Sequence, residues 1–249
     1  MWVYQAIRTL GDYPRHHART DGARTALIHA DRVISYAELE RLTDKVAQGL
    51  AAQDQTPGAR IAYLGKNSDD YFIALFGTVK LGCCFCPLNW RLSKPELKNV
   101  LSNSRATFAF VEPEFAALWQ EIVAELGVEI GIRTVDPASA HDPFRIWLEG
   151  APAVTLPPVG MELGAIQLYT SGTTGQPKGV VITHDNLNHM RLCEHLEPAL
   201  AWDATDRFLV ALPNFHLLAI GLSLQSLYNG MTVIIERQFE PAAVLRSIE

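Results

Sequence analysis

Apolar positions fall along the chain in two alternating patterns. RIAYLG (60–65), CCFCPL (83–88) and ATFAFV (106–111) are short unbroken apolar runs, whereas Leu39, Leu42, Val46 and Leu50 recur at three- and four-residue steps. The runs predict strands buried on both faces, and the stepped spacing predicts a helix with one apolar face through about residue 52. Start signals agree with that division. Ser35 and Glu38 have the spacing of a capping box, Ser68-Asp69-Asp70 supplies a cap and acidic first turn for a helix to about Leu81 closed by Gly82, and Ser93 to Glu96 repeats the box with Pro95 in the first turn. Residues 25–34 predict a hairpin turning at Ala30-Asp31-Arg32, and EFAALWQEIVAEL followed by IGIRTV predicts a further helix and strand.

Residues 136–162 are proline-rich with little periodicity and predict a long connection. Beyond them come strand GAIQLYT, a polar loop, strand GVVITH, helix DNLNHMRLCEHLEPAL, strand RFLVALP, helix FHLLAIGLSLQSLYNG, strand MTVIIE and a last helix from Glu240. The expectation is an α/β fold: tandem α/β units with mostly parallel sheets flanked by helices, one over 1–135 and one over 164–249, joined by 136–163. The strand order does not follow from propensity.

Composition narrows the function classes. With 249 residues, 48% hydrophobic and 19% charged, the chain has ordinary globular composition, and its net charge of −6 disfavours a nucleic-acid partner. Cys83, Cys84 and Cys86 share one apolar run, with Cys193 apart, which predicts packed reduced thiols in a buried strand instead of a zinc site or disulfides. The first residues lack a secretory pattern, and the longest apolar stretch, 208–224, is broken by Pro213, Asn214 and His216. A cytoplasmic protein without an integral membrane segment is expected; nothing in the sequence sets its oligomeric state.

Against this background YTSGTTGQPKG (169–179) stands out. It follows a predicted strand, where open α/β sheets bind ligands. Glycines 172, 175 and 179 are expected to give the backbone conformations closed to other residues, so that N–H groups converge on an anion; Thr170, Ser171, Thr173 and Thr174 add hydroxyls, and Lys178 a compact positive charge. These are the parts of a phosphate cradle. The Walker pattern needs glycine directly before the lysine and Ser or Thr after it, whereas Lys178 sits between Pro177 and Gly179; GxGxxG is absent too.

The stretch LYTSGTTGQPKGVVITHDNL closely resembles the phosphate-loop signature of the adenylate-forming superfamily, which includes acyl-CoA and aryl-CoA synthetases, luciferases and peptide-synthetase adenylation domains. GCCFCPLNWRLSKPEL (82–97) and LPNFHLLAIGL (212–222) resemble two further segments of that superfamily in order and spacing, and the tail from Asn229 resembles the acyl-CoA synthetase branch. The resemblance implies that Thr170, Ser171, Gly172, Thr173, Thr174, Gly175 and Lys178 hold the β- and γ-phosphates of ATP. It also places His216 near the α-phosphate and the substrate carboxylate, in a positioning or gating role; read alone, His216 is a helix-start histidine. Asn89 and Arg91 read as turn and helix-entry residues. Leu217, Leu218, Ile220 and Leu222 are candidates for an acyl pocket, although such spacing more often marks core.

The implied reaction joins a carboxylic acid, expected to be fatty, to ATP with Mg2+ as acyl-adenylate, after which the thiol of coenzyme A displaces AMP. Superfamily members are about twice this length. The segments for adenine, ribose and the catalytic lysine are missing here, so the chain reads as an N-terminal part of the large domain, expected to be inactive alone and without a metal site of its own. The alternatives are a non-catalytic ATP- or partner-binding module and an unusual NTPase or kinase, the latter disfavoured by the absent Walker pattern.

Overall fold

The cap signals act where the spacing puts them. After α1 (Asp12–Asp21), strands β1 (Thr25–His29) and β2 (Arg32–Ser35) form the hairpin, with Ala30 at φ 51° in its turn. The Ser35 side chain then accepts from the Glu38 N–H (3.2 Å) and starts α2 (Tyr36–Ala51). Strand β3 (Arg60–Leu64) leads to α3 (Asp69–Lys80), whose Ser68 cap accepts from the Tyr71 N–H at 3.1 Å. Next come β4 (Cys84–Pro87), α4 (Lys94–Ser104), β5 (Phe108–Val111), α5 (Ala116–Leu126) and β6 (Gly131–Thr134). At the start of α4 the Glu96 carboxylate accepts from the Ser93 N–H at 2.9 Å. The second half holds α6 (Pro143–Glu149), β7 (Gly164–Thr170), β8 (Lys178–Thr183), α7 (His184–Leu196), β9 (Arg207–Val210), α8 (Leu217–Tyr228), β10 (Thr232–Ile235) and α9 (Pro241–Ile248). This computed structural model describes residues 6–170, 177–197 and 201–248.

The architecture is mixed α/β, with parallel sheets flanked by helices. A six-stranded sheet runs β6-β5-β3-β4-β7-β8, parallel except for the β7–β8 hairpin; a four-stranded sheet runs β2-β1-β10-β9, parallel except for β1–β2. This order corrects the expected division into a unit over 1–135 and another over 164–249. β1 pairs with β10 and β4 with β7, so each sheet takes strands from both sides of 136–163. That segment is itself more than a connection, because Pro143 opens α6 behind an Asp142 cap that accepts from the Phe144 N–H at 3.0 Å. Proline breaks a helix interior but fits its first turn.

The main core contains residues of both sheets together with α1, α2, α3 and α8. Every residue of α3 is buried, as expected of a helix that is apolar nearly all round. A second cluster joins residues of β3 and β5 to α4 and α5. Cys83, Cys84 and Cys86 are buried and free, as expected; the Cys193 side chain lies outside the described residues. Among the described residues no helix is long and apolar enough to cross a membrane.

Candidate functional site

Both sheets deliver the segments that follow their parallel strands to one region, the usual place for ligands in open α/β sheets. Asn67, just past β3, joins them. Its Nδ2 donates to the carbonyls of Leu212 (2.9 Å) and Glu236 (3.1 Å), and its Oδ1 accepts from the Asn214 N–H (3.0 Å). The Tyr71 hydroxyl adds a bond to the Asn214 carbonyl (2.8 Å). The 212–216 segment after β9 is therefore tied to α3 and to the end of β10. Beside it, Arg237 donates to Glu112 (2.6 Å) and Glu114 (2.9 Å), and Lys66 pairs with Glu114 (2.8 Å). Burial pushes the Glu112 carboxyl up, against the pull of Arg237.

The aromatic ring of Trp90 stands in the middle of this junction. Lys66 Nζ lies 5.3 Å and the Arg91 guanidinium 4.9 Å from its centroid, and Phe215 meets it edge-on at 6.3 Å. Phe215 in turn lies 4.4 Å from the His216 ring. His216 occupies the N-cap position of α8 in an extended conformation, without a side-chain cap bond, and is exposed. Burial, with a smaller contribution from Arg91, lowers its pKa below the usual imidazole value, which keeps it neutral at physiological pH. A neutral imidazole suits positioning.

A cavity of about 540 Å³ opens here. Leu92, Val100, Leu168, Tyr169, Val180, Ile182, Phe215 and Leu217 make most of its wall, with Asn89, Glu96, Thr170 and His216 as polar points. Thr170 and His216, far apart in sequence, thus share one cavity. Lys178 is exposed and is paired across the hairpin with Thr170, so the two stand on either side of residues 171–176 in the chain. Ser171, Gly172, Thr173, Thr174 and Gly175 lie outside the described residues.

Some expectations need revision. Of the apolar residues proposed for an acyl pocket, Leu217 lines the cavity, Leu218 points to solvent, Ile220 belongs to the core and Leu222 is half-buried. Gly179 has no positive φ; it sits in β8 as ordinary strand. Asn89 accepts from the Arg91 N–H (2.9 Å), the expected turn role, and also lines the cavity. Asn67 and Tyr71 had no sequence signal, because their partners lie more than a hundred residues away.

The comparisons with known proteins match this picture. The family described as AMP-binding enzyme matches residues 14–249. A feruloyl-CoA synthase of Amycolatopsis sp is 37% identical over 96% of this chain and 46% of its own length. The fatty acid–acyl-carrier-protein ligase ScoC of Streptomyces coeruleorubidus is 32% identical over 94% of this chain and 44% of its own. The inhibitor-bound crystal structure of the N-terminal domain of FACL13 from Mycobacterium tuberculosis superposes with a TM-score of 0.84 at 29% identity, covering 97% of this chain and 60% of that one. The chain spans about half the length of the curated relatives it matches. A family match over residues 14–249, nearly the whole sequence, establishes that the chain belongs to the AMP-binding enzyme family.

Proposed function

We propose that this chain carries the phosphate-holding and acid-facing part of an ATP-dependent acid–thiol ligase. In that reaction a carboxylate attacks the α-phosphate of ATP, forming acyl-adenylate and releasing pyrophosphate; the thiol of coenzyme A then attacks the acyl carbon and AMP departs. Such transfers ask the protein for positioning and for charge placed where negative charge develops. Thr170 and Lys178, together with Ser171 to Gly175, serve the departing pyrophosphate. His216, neutral and beside Phe215, orients the acid at the cavity. The observation that supports this reading best is the shared cavity of Thr170 and His216, beside the pairing of Thr170 with Lys178.

The mostly apolar wall fits an acid with an apolar body, fatty or aromatic, a range that the names of the two relatives span. Mg2+ enters on this reading with the nucleotide. The placement proposed is the cytoplasm. On this reading the 249-residue chain binds ATP but makes no thioester by itself. Titration calorimetry with ATP tests it: Lys178→Ala should weaken binding by about 10-fold or more, the usual loss for a charge-assisted bond. Equal affinity in the two proteins would sink the assignment of Lys178. Release of pyrophosphate and AMP in the presence of coenzyme A and a panel of fatty and aromatic acids, measured on a protein of the relatives' full length carrying this sequence, tests the reaction.

A further inference from the structure

Gly179 stands opposite Tyr169 in the β7–β8 register, and its backbone is one that any residue adopts. What forbids a side chain there is space. A Cβ on Gly179 would lie 2.5 Å from Nε2 of Gln167 and 3.1 Å from Cζ and the hydroxyl oxygen of Tyr169. A glutamine tip usually moves aside cheaply, but this one is only 4% exposed and is held at both ends. Arg60 Nε donates to its Oε1 (2.7 Å), and its Nε2 donates to the Tyr169 hydroxyl (2.8 Å), which donates in turn to Oδ1 of Asn103 (2.9 Å). The chain of bonds runs from β3 through β7 to α4. Burial pushes the Tyr169 phenol up to about 12, so the hydroxyl keeps the proton it donates.

We propose that Gln167 and Tyr169 are positioning residues for the base of the phosphate loop: braced by Arg60 and Asn103 and seated over Gly179, they fix the Thr170–Lys178 pair and the adjoining cavity wall. Gly179 is glycine to admit them, not to let the backbone approach a phosphate. The inference rests on the ATP-binding reading of the loop.

A double-mutant cycle separates the two roles. Gly179→Ala, Gln167→Ala, the double variant and Tyr169→Phe are compared with the unaltered chain by thermal unfolding and by ATP titration calorimetry. Gly179→Ala should weaken ATP binding about 10-fold, whereas in the Gln167→Ala background, where the 2.5 Å conflict is gone and only the tight 3.1 Å contact with Tyr169 remains, it should change affinity by less than about threefold. Tyr169→Phe keeps the ring, removes the hydroxyl with its two bonds, and should weaken binding about threefold with a modest fall in the unfolding midpoint. Equal cost of Gly179→Ala in both backgrounds would overturn the steric role. ATP affinity unchanged in Gln167→Ala and Tyr169→Phe would overturn the positioning role, and these two arms decide the matter even if Gly179→Ala does not fold. Lys178→Ala is the separate control: if it leaves ATP binding unchanged, the loop reading fails and takes the positioning role with it. The same cycle in unfolding midpoints then still decides the steric role of Gly179.

Discussion

At the residue scale, Asn67 ties two segments of the site together with one side chain. It is 2% exposed and meets three backbone groups of two segments that end at the site. Asn67→Ala leaves the Asn214 N–H and the Leu212 and Glu236 carbonyls without that partner, at a cost of about 1–3 kcal/mol for groups left unpaired in the interior. Tyr71→Phe removes a single bond, to the Asn214 carbonyl, and should cost about 1 kcal/mol. Urea unfolding of the two variants checks the order, and Tyr71→Phe as the more damaging change would refute the role given to Asn67. Thr170, Lys178 and His216 could be singled out as candidates in the sequence because each lies in a stretch whose local chemistry is distinctive. Asn67 was not, since a buried asparagine reads locally like any turn residue and its partners belong to another sheet.

Among elements, α3 connects the site to the core. Its Ser68 cap is buried, accepts from the Tyr71 N–H and lies 3.3 Å from the Tyr63 hydroxyl. Ser68→Ala should therefore cost about 1–2 kcal/mol, at the upper end for a cap, read as a lower denaturation midpoint with unchanged slope. This helix was legible at both ends, from Ser68 and from Gly82, as were α2, α4 and the apolar strands β3, β4 and β5. The α6 helix was not, because a proline-rich surrounding hides a seven-residue helix whose first position is itself proline. Its Arg145 reaches Asp69 (2.9 Å) and Asp70 (2.5 Å) at the start of α3, a long-range pairing that local periodicity does not encode. Strand order was illegible for the same reason: which apolar run lies beside which is decided by packing across the sequence.

For the whole molecule, acid sensitivity follows from two buried histidines. Burial lowers His17 and His184 to about 4; His17 Nε2 lies 2.8 Å from the Tyr228 carbonyl, and His184 Nδ1 accepts from the Leu10 N–H at 3.1 Å. In the unfolded chain a histidine takes its proton near 6.5, and in the fold only near 4. Stability is thus complete above about pH 6.5 and falls as pH drops towards 4, by at most about 3 kcal/mol per histidine. Asp70 runs the other way. Burial and the neighbouring Asp69 raise it to about 7, so the fold gains from its protonation below that pH and offsets part of the loss. The unfolding temperature should still fall from pH 6.5 to 4, and His184→Gln should flatten the slope; an unchanged slope would count against this source. The pairing of β1 with β10 has a consequence for the order in which the chain is made. Leu27 and Val233 are partners separated by about 200 residues, which takes a ribosome roughly 10–40 s to add. Through that interval the N-terminal hairpin is exposed with one strand edge bare, and a bare edge is open to pairing with the same hairpin of a neighbouring nascent chain.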